Sequence, residues 1–133
     1  MKKTLILDGN NFSNRAEFYD EIEKVFTKGL DWKIGRNLNA LNDILRGGFG
    51  VTAYEEPFKL IWKHSEKSKT DLGYPQTIAY LEELLESCHP SNRELVQQEL
   101  DFALRQQGRT FFERVLDMIK NHEMQHIELN LEA

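Results

Sequence analysis

Ile34-Gly35-Arg36-Asn37-Leu38-Asn39-Ala40-Leu41-Asn42-Asp43-Ile44-Leu45-Arg46-Gly47-Gly48 reads as one short helix with both of its ends written into it. Leu38, Leu41, Ile44 and Leu45 recur at helical spacing, which turns one stripe toward a core and leaves Arg36, Asn39, Asn42, Asp43 and Arg46 toward water. Asn37 is placed to cap the first turn, its side-chain oxygen taking an amide that the helix leaves unsatisfied. Gly47-Gly48 supplies a left-handed exit that residues with a Cβ disfavour. Gly35 permits a close backbone approach or a positive φ, which suits a recognition loop leading into the helix.

Upstream, Lys3-Thr4-Leu5-Ile6-Leu7 is a β-rich run stopped by Asp8-Gly9, the pattern of a buried first strand. A helix follows, capped by Ser13, with Phe18, Ile22, Val25 and Phe26 as its apolar face and Gly29 as its end. Downstream, Pro57 introduces a second strand, Phe58-Lys59-Leu60-Ile61-Trp62, and the polar run from Ser65 to Asp71 reads as a short helix or turn. From Tyr74 the chain is strongly helical. Ile78, Leu81, Leu84 and Leu85 form one stripe, broken at His89-Pro90-Ser91-Asn92; Leu95, Leu100, Phe102 and Leu104 suggest another. After Gly108-Arg109-Thr110, the residues Phe111, Phe112, Val115, Leu116, Met118 and Ile119 are spaced for core contact. Ile127, Leu129 and Leu131 alternate with Glu128, Asn130 and Glu132, as in a strand exposed on one face.

Strands separated by helices imply parallel pairing with right-handed crossovers, so the expected fold is α/β with a small three-stranded parallel sheet. A chain of 133 residues suits one domain with one core. The lone Cys88 makes no internal disulfide, and the absence of an N-terminal apolar run resembling a leader or a membrane span points to a cytoplasmic chain. Seventeen Lys and Arg against 22 Asp and Glu give a net charge of -5, which opposes direct nucleic-acid binding and favours a basic partner.

The sharpest catalytic pattern is His122-Glu123-Met124-Gln125-His126, a literal match to the H-E-x-x-H zinc-hydrolase motif. That chemistry needs the two histidines four apart on a helix, holding one ion while the glutamate activates water. Here His126 runs straight into the strand pattern and only seven residues follow it, which leaves no room for a downstream third ligand. The reading is therefore a coincidental pair and no metal. Cys88 beside His89 has no geometry for a nucleophile and its base. Gly47-Gly48-Phe49-Gly50 lacks the Lys-Ser/Thr of a phosphate loop and follows a helix, not a strand. Trp32, Phe49, Tyr54 and Trp62 lack an accompanying basic stripe and are assigned to core or interface packing. No catalytic residue or cofactor is expected.

The leading strand with Asp8-Gly9, the Gly35 to Gly47 segment with its Gly35-x-Asn37-Leu38-x-Ala40-Leu41-x-Asp43 pattern, and Pro57 through Trp62 followed by Ser68 resemble the barstar family of intracellular inhibitors of barnase-type ribonucleases. The resemblance covers roughly residues 2 to 72 and 110 to 131. Residues 73–109 look like a helical insertion within a single domain of residues 1–133. The resemblance implies a non-enzymatic binding protein whose loop and helix, from Lys33 through Arg46, plug the active site of a secreted ribonuclease or related toxin, an acidic face standing in for RNA phosphate. It makes Asp43 the anchor and places Lys33, Gly35, Asn39, Asn42 and Arg46 around it. Lys33 stands where the family has an aromatic, Asn39 where it has an aspartate, and Asn42 where it has an aromatic. For the family's glutamate on the last helix, Asp117 is the nearest acidic candidate. These departures suit an inhibitor of a divergent ribonuclease or another toxin. The alternative is an interaction module on the same fold whose partner is not a nuclease and whose contacts include the inserted helices.

Overall fold

The computed structural model describes residues 2–27, 35–48 and 51–133. Its strands, β1 (Lys3–Asp8), β2 (Phe58–Lys63) and β3 (Ile127–Leu131), form one sheet in the order β1-β2-β3. Both pairings are parallel, with Leu60 between Leu5 and Leu129, and Trp62 between Leu7 and Leu131. Strand alternation explains the layering: Leu7, Phe58, Leu60 and Trp62 are buried on the helix side, whereas Thr4, Ile6, Glu128 and Asn130 face away and are exposed. The β3 residues Ile127 and Leu129 pack only partly against this core, and Leu131 is 44 % exposed.

Helix α1 (Arg15–Phe26) lays Phe18, Ile22 and Phe26 into the core, with Val25 partly buried beside them. Its cap is Asn14, not the expected Ser13: Asn14 Oδ1 accepts from Glu17 N at 2.9 Å, while Ser13 N–H donates to the Glu17 carboxylate. Two adjacent capping-type residues differ by one register, and the sequence alone does not separate them. The expected stop at Gly29 lies outside the described residues. Phe12 and Phe111 flank the Phe18–Trp62 stack, with centroids 5.3 Å apart for Phe12–Phe18 and 6.0 Å for Phe18–Trp62. The buried Trp62 indole donates to Ser68 Oγ at 3.0 Å, which satisfies its one polar atom and ties β2 to α3 (Ser65–Asp71). Thr110 and Glu113 form a reciprocal capping box at the start of α6 (Phe111–Ile119), which buries Phe111, Phe112, Val115 and Ile119.

Residues 73–109 fold as α4 (Tyr74–Ser87) and α5 (Arg93–Leu104), packed on each other through Leu81, Leu100 and Ala103. The pair docks on the body through α4. Thr77 Oγ1 accepts from Phe111 N at 2.7 Å, Tyr80 meets the Phe111 ring at 5.4 Å, and Arg15 pairs with Glu83 at 2.9 Å. The expected apolar stripe on α5 is corrected in part: Leu100 is buried as expected, but Leu95, Phe102 and Leu104 are exposed, and the buried face is Val96, Leu100 and Ala103. The latter three stand at true helical spacing; the former set does not share one face.

Asp8, at the end of β1, accepts from Asn10 N and from His64 Nδ1, each at 2.9 Å. These bonds, the backbone one first, hold its carboxyl below the ordinary aspartate value of 3.8. A depressed pKa means that the stabilisation is present above the ordinary value and is lost as pH falls through the lowered one. Asp8→Asn is therefore expected to be less stable than wild type in urea at pH 7, and the gap should close on acidification below pH 3.8. A pH-independent gap would contradict this account.

Candidate partner-binding face

The helix α2 (Leu38–Arg46) forms where the sequence places it. Asn37 Oδ1 accepts from Ala40 N at 2.8 Å. Leu41, Ile44 and Leu45 are buried and Leu38 packs partly against the same core, each fully buried side chain contributing about 1.5–3 kcal/mol. Gly47 and Gly48 end the helix at φ 90° and 88°. Gly35 serves close approach, since a Cβ there would lie 3.0 Å from Asn37 Nδ2 and 3.3 Å from Ala40 Cβ. The glycine therefore lets the incoming chain lie against the cap.

The outer face of α2 carries Asn39, Asn42, Asp43 and Arg46 at i, i+3, i+4 and i+7, so the helix brings these four predicted residues onto one side. Asn39 and Asp43 are exposed, and Asn42 and Arg46 are half-buried. Lys33, the remaining predicted member, lies outside the described residues. Neighbouring cations are already engaged: Arg46 pairs with Glu123, and Arg36 pairs with Asp20 at 2.7 Å and Glu23 at 3.2 Å. No described side chain pairs with Asp43. Its place in the last turn, beside the negative end of the helix dipole, also does nothing for helix stability.

The H-E-x-x-H pattern is absorbed here. It falls on a 3-10 turn, His122–Met124, and the turn residues Gln125 and His126 that lead into β3, so it lacks the helix that zinc chemistry requires. Glu123 holds Arg46, and His126 Nε2 donates to the carbonyl of Leu45 at 2.8 Å, satisfying one of the acceptors that a helix end leaves open. Buried Met124 packs in the main core between them. The segment thus clamps the C-terminal end of α2, a role that only the fold reveals, because residues 45 and 126 are distant in the chain.

Asp117 of α6 reaches the same neighbourhood. It lines a 450 Å³ groove with Leu38 of α2 and with Phe102 and Arg109. Its carboxylate is held by Arg109 Nε at 2.9 Å, a contact with no signal in the local sequence. Of the aromatics considered for stacking, Trp62 is core and Tyr54 is exposed; Trp32 and Phe49 lie outside the described residues. Cys88 and His89 turn to different partners, Cys88 Sγ to Leu85 O and His89 Nδ1 to Ser91 Oγ.

The chain matches the family model described as Barstar (barnase inhibitor) over residues 2–107. It belongs to the barstar family. The match runs from β1 through α2, β2 and the whole of α5, thus including most of residues 73–109, and ends before α6. No curated protein and no solved structure matches the chain. No helix among the described residues is long and apolar enough to cross a membrane.

Proposed function

We propose that this barstar-family chain is a cytoplasmic inhibitor that binds a secreted ribonuclease or related toxin and occludes its active site with the outer face of α2. The observation that carries the reading is Asp43: an exposed carboxylate, unpaired among the described residues, on the last turn of a helix braced at both ends. A carboxylate presented to a basic, partly desolvated site makes charge-assisted hydrogen bonds and steers encounter. Gly35, Asn39, Asn42 and Arg46 surround it, and Lys33 precedes it. Asn39 and Asn42 offer both donors and acceptors, which fits a partner site with fewer cations than an all-acidic helix would need. Bracing holds α2 in place before contact, so little ordering is required on binding. On this reading residues 73–109 are an insertion in a single domain and lie outside the essential contact.

Titration of RNA hydrolysis by a panel of barnase-type ribonucleases, barnase included, tests the proposal. The expected result is stoichiometric loss of activity for at least one enzyme, and undiminished activity of every enzyme at molar excess would overturn it. A second reading, an interaction module with a non-nuclease partner, is favoured by the exposed Leu95, Phe102 and Leu104 on α5. It predicts that substitutions on α5, and not on α2, weaken partner binding.

A further inference from the structure

Arg36, Asp43 and Arg46 are the charged side chains between Gly35 and Gly48, and the fold treats the two signs differently. Arg36 is held by Asp20 and Glu23 of α1, and Arg46 by Glu123 of the turn before β3. Each cation is matched by an acid from outside the segment, while no described side chain pairs with Asp43. Helix geometry alone favours another outcome. On α2 the positions within one turn of Asp43 are Asn39, Ala40, Arg46 and Gly47, so Arg46 is the one cation of the helix placed to reach it. An acid three residues before an arginine is a favourable helical pair, with Cβ atoms about 5–6 Å apart. Arg46 pairs instead with a residue 77 positions away. Glu123 competes because it rides on a fixed turn: Asn121 Oδ1 accepts from its N–H at 2.9 Å, Met124 beside it is buried, and His126 donates to the Leu45 carbonyl at 2.8 Å.

We propose that Glu123 is a positioning residue for the recognition face: by holding Arg46 it keeps that guanidinium off Asp43 and leaves the carboxylate free for a cation of the partner. The inference rests on the reading of Asp43 as the anchor. It gives the charge of Glu123 a use that clamping does not need, since His126 and Met124 already fix the turn against α2 and the core. Without Glu123, Arg46 acts twice in the same direction. It pairs with Asp43, a contact the partner must then break, and its unmatched charge meets a basic site.

Two measurements on the full chain test this, and the first needs no partner. In nitrogen–proton correlation spectra, Asp43→Asn should leave the Arg46 guanidinium resonances in place in the wild-type background and move them in the Glu123→Ala background, because only there do the two side chains meet. Resonances that ignore Asp43 in both backgrounds, or respond equally in both, overturn the proposal. The second is inhibition of a susceptible ribonuclease. Glu123→Ala should weaken it about fivefold, adding Arg46→Gln should recover most of that loss, and Glu86→Ala, which removes the same charge from an exposed position on α4, should change it by less than about twofold. A loss that Arg46→Gln does not relieve, or that Glu86→Ala matches, would place the effect of Glu123 in the fold or in net charge and overturn the proposal. If the wild type inhibits no ribonuclease, the anchor reading fails by itself, and the guanidinium result still decides whether Glu123 keeps Arg46 from Asp43.

Discussion

Asp43→Ala is expected to weaken inhibition of a susceptible ribonuclease by a factor of at least about 30, corresponding to about 2 kcal/mol or more for a buried, charge-pairing contact. The thermal midpoint should change little, because the side chain is exposed and without a described partner. Alanine is also the better helix former and removes a negative charge from the last turn, so a small gain in stability is consistent with the same account. Isothermal titration with paired wild-type and variant protein, alongside a melting curve for each, separates the two effects. Equal affinity for both would remove Asp43 as the anchor even if inhibition itself were observed.

Gly47→Ala should act oppositely, on the fold first and on binding through it. The residue sits at φ 90°, where a Cβ is strained, and that Cβ would lie 2.2 Å from the carbonyl oxygen of Ala53 and 2.9 Å from its carbon. Neither atom belongs to a flexible side-chain end, so the backbone must shift. Backbone strain of about 1–3 kcal/mol and a similar overpacking term together predict a loss of roughly 3 kcal/mol or more. A melting midpoint lowered by roughly 10 °C is the expected reading. Gly48→Ala is the control: it shares the positive φ but has its nearest contact at 3.7 Å, so strain remains and overlap does not. Equal losses for the two variants would show that the conformation alone, and not the Ala53 carbonyl, decides the cost.

These predictions concern one short helix held from three directions. Asn37 closes its start, Gly47 turns the chain away at its end, and His126 with Glu123 grips the last turn from the far end of the sequence. Such bracing is what an inhibitory face requires, since a helix that frays on its own would lose ordering entropy at each encounter. It also gives a metalloprotease-like pattern a different structural use in this chain. The glutamate and second histidine act on a neighbouring helix terminus.

The sequence by itself determined the strands, the order of the helices and both ends of α2, because these rest on local rules: alternation at period two, apolar spacing near 3.6, a polar cap and a glycine exit. It also carried the family and, through the family pattern, the candidate face. Where it misled, the cause was again local. Ser13 and Asn14 are both good caps, and Leu95, Phe102 and Leu104 are apolar without sharing the buried side of α5. Only the tertiary structure decided that β3 is an edge strand, that α4 docks residues 73–109 on the body, and that His126 reaches Leu45. Each of these depends on which surfaces meet after the chain has closed long loops, and contacts across that distance leave no periodicity for a local reading to detect.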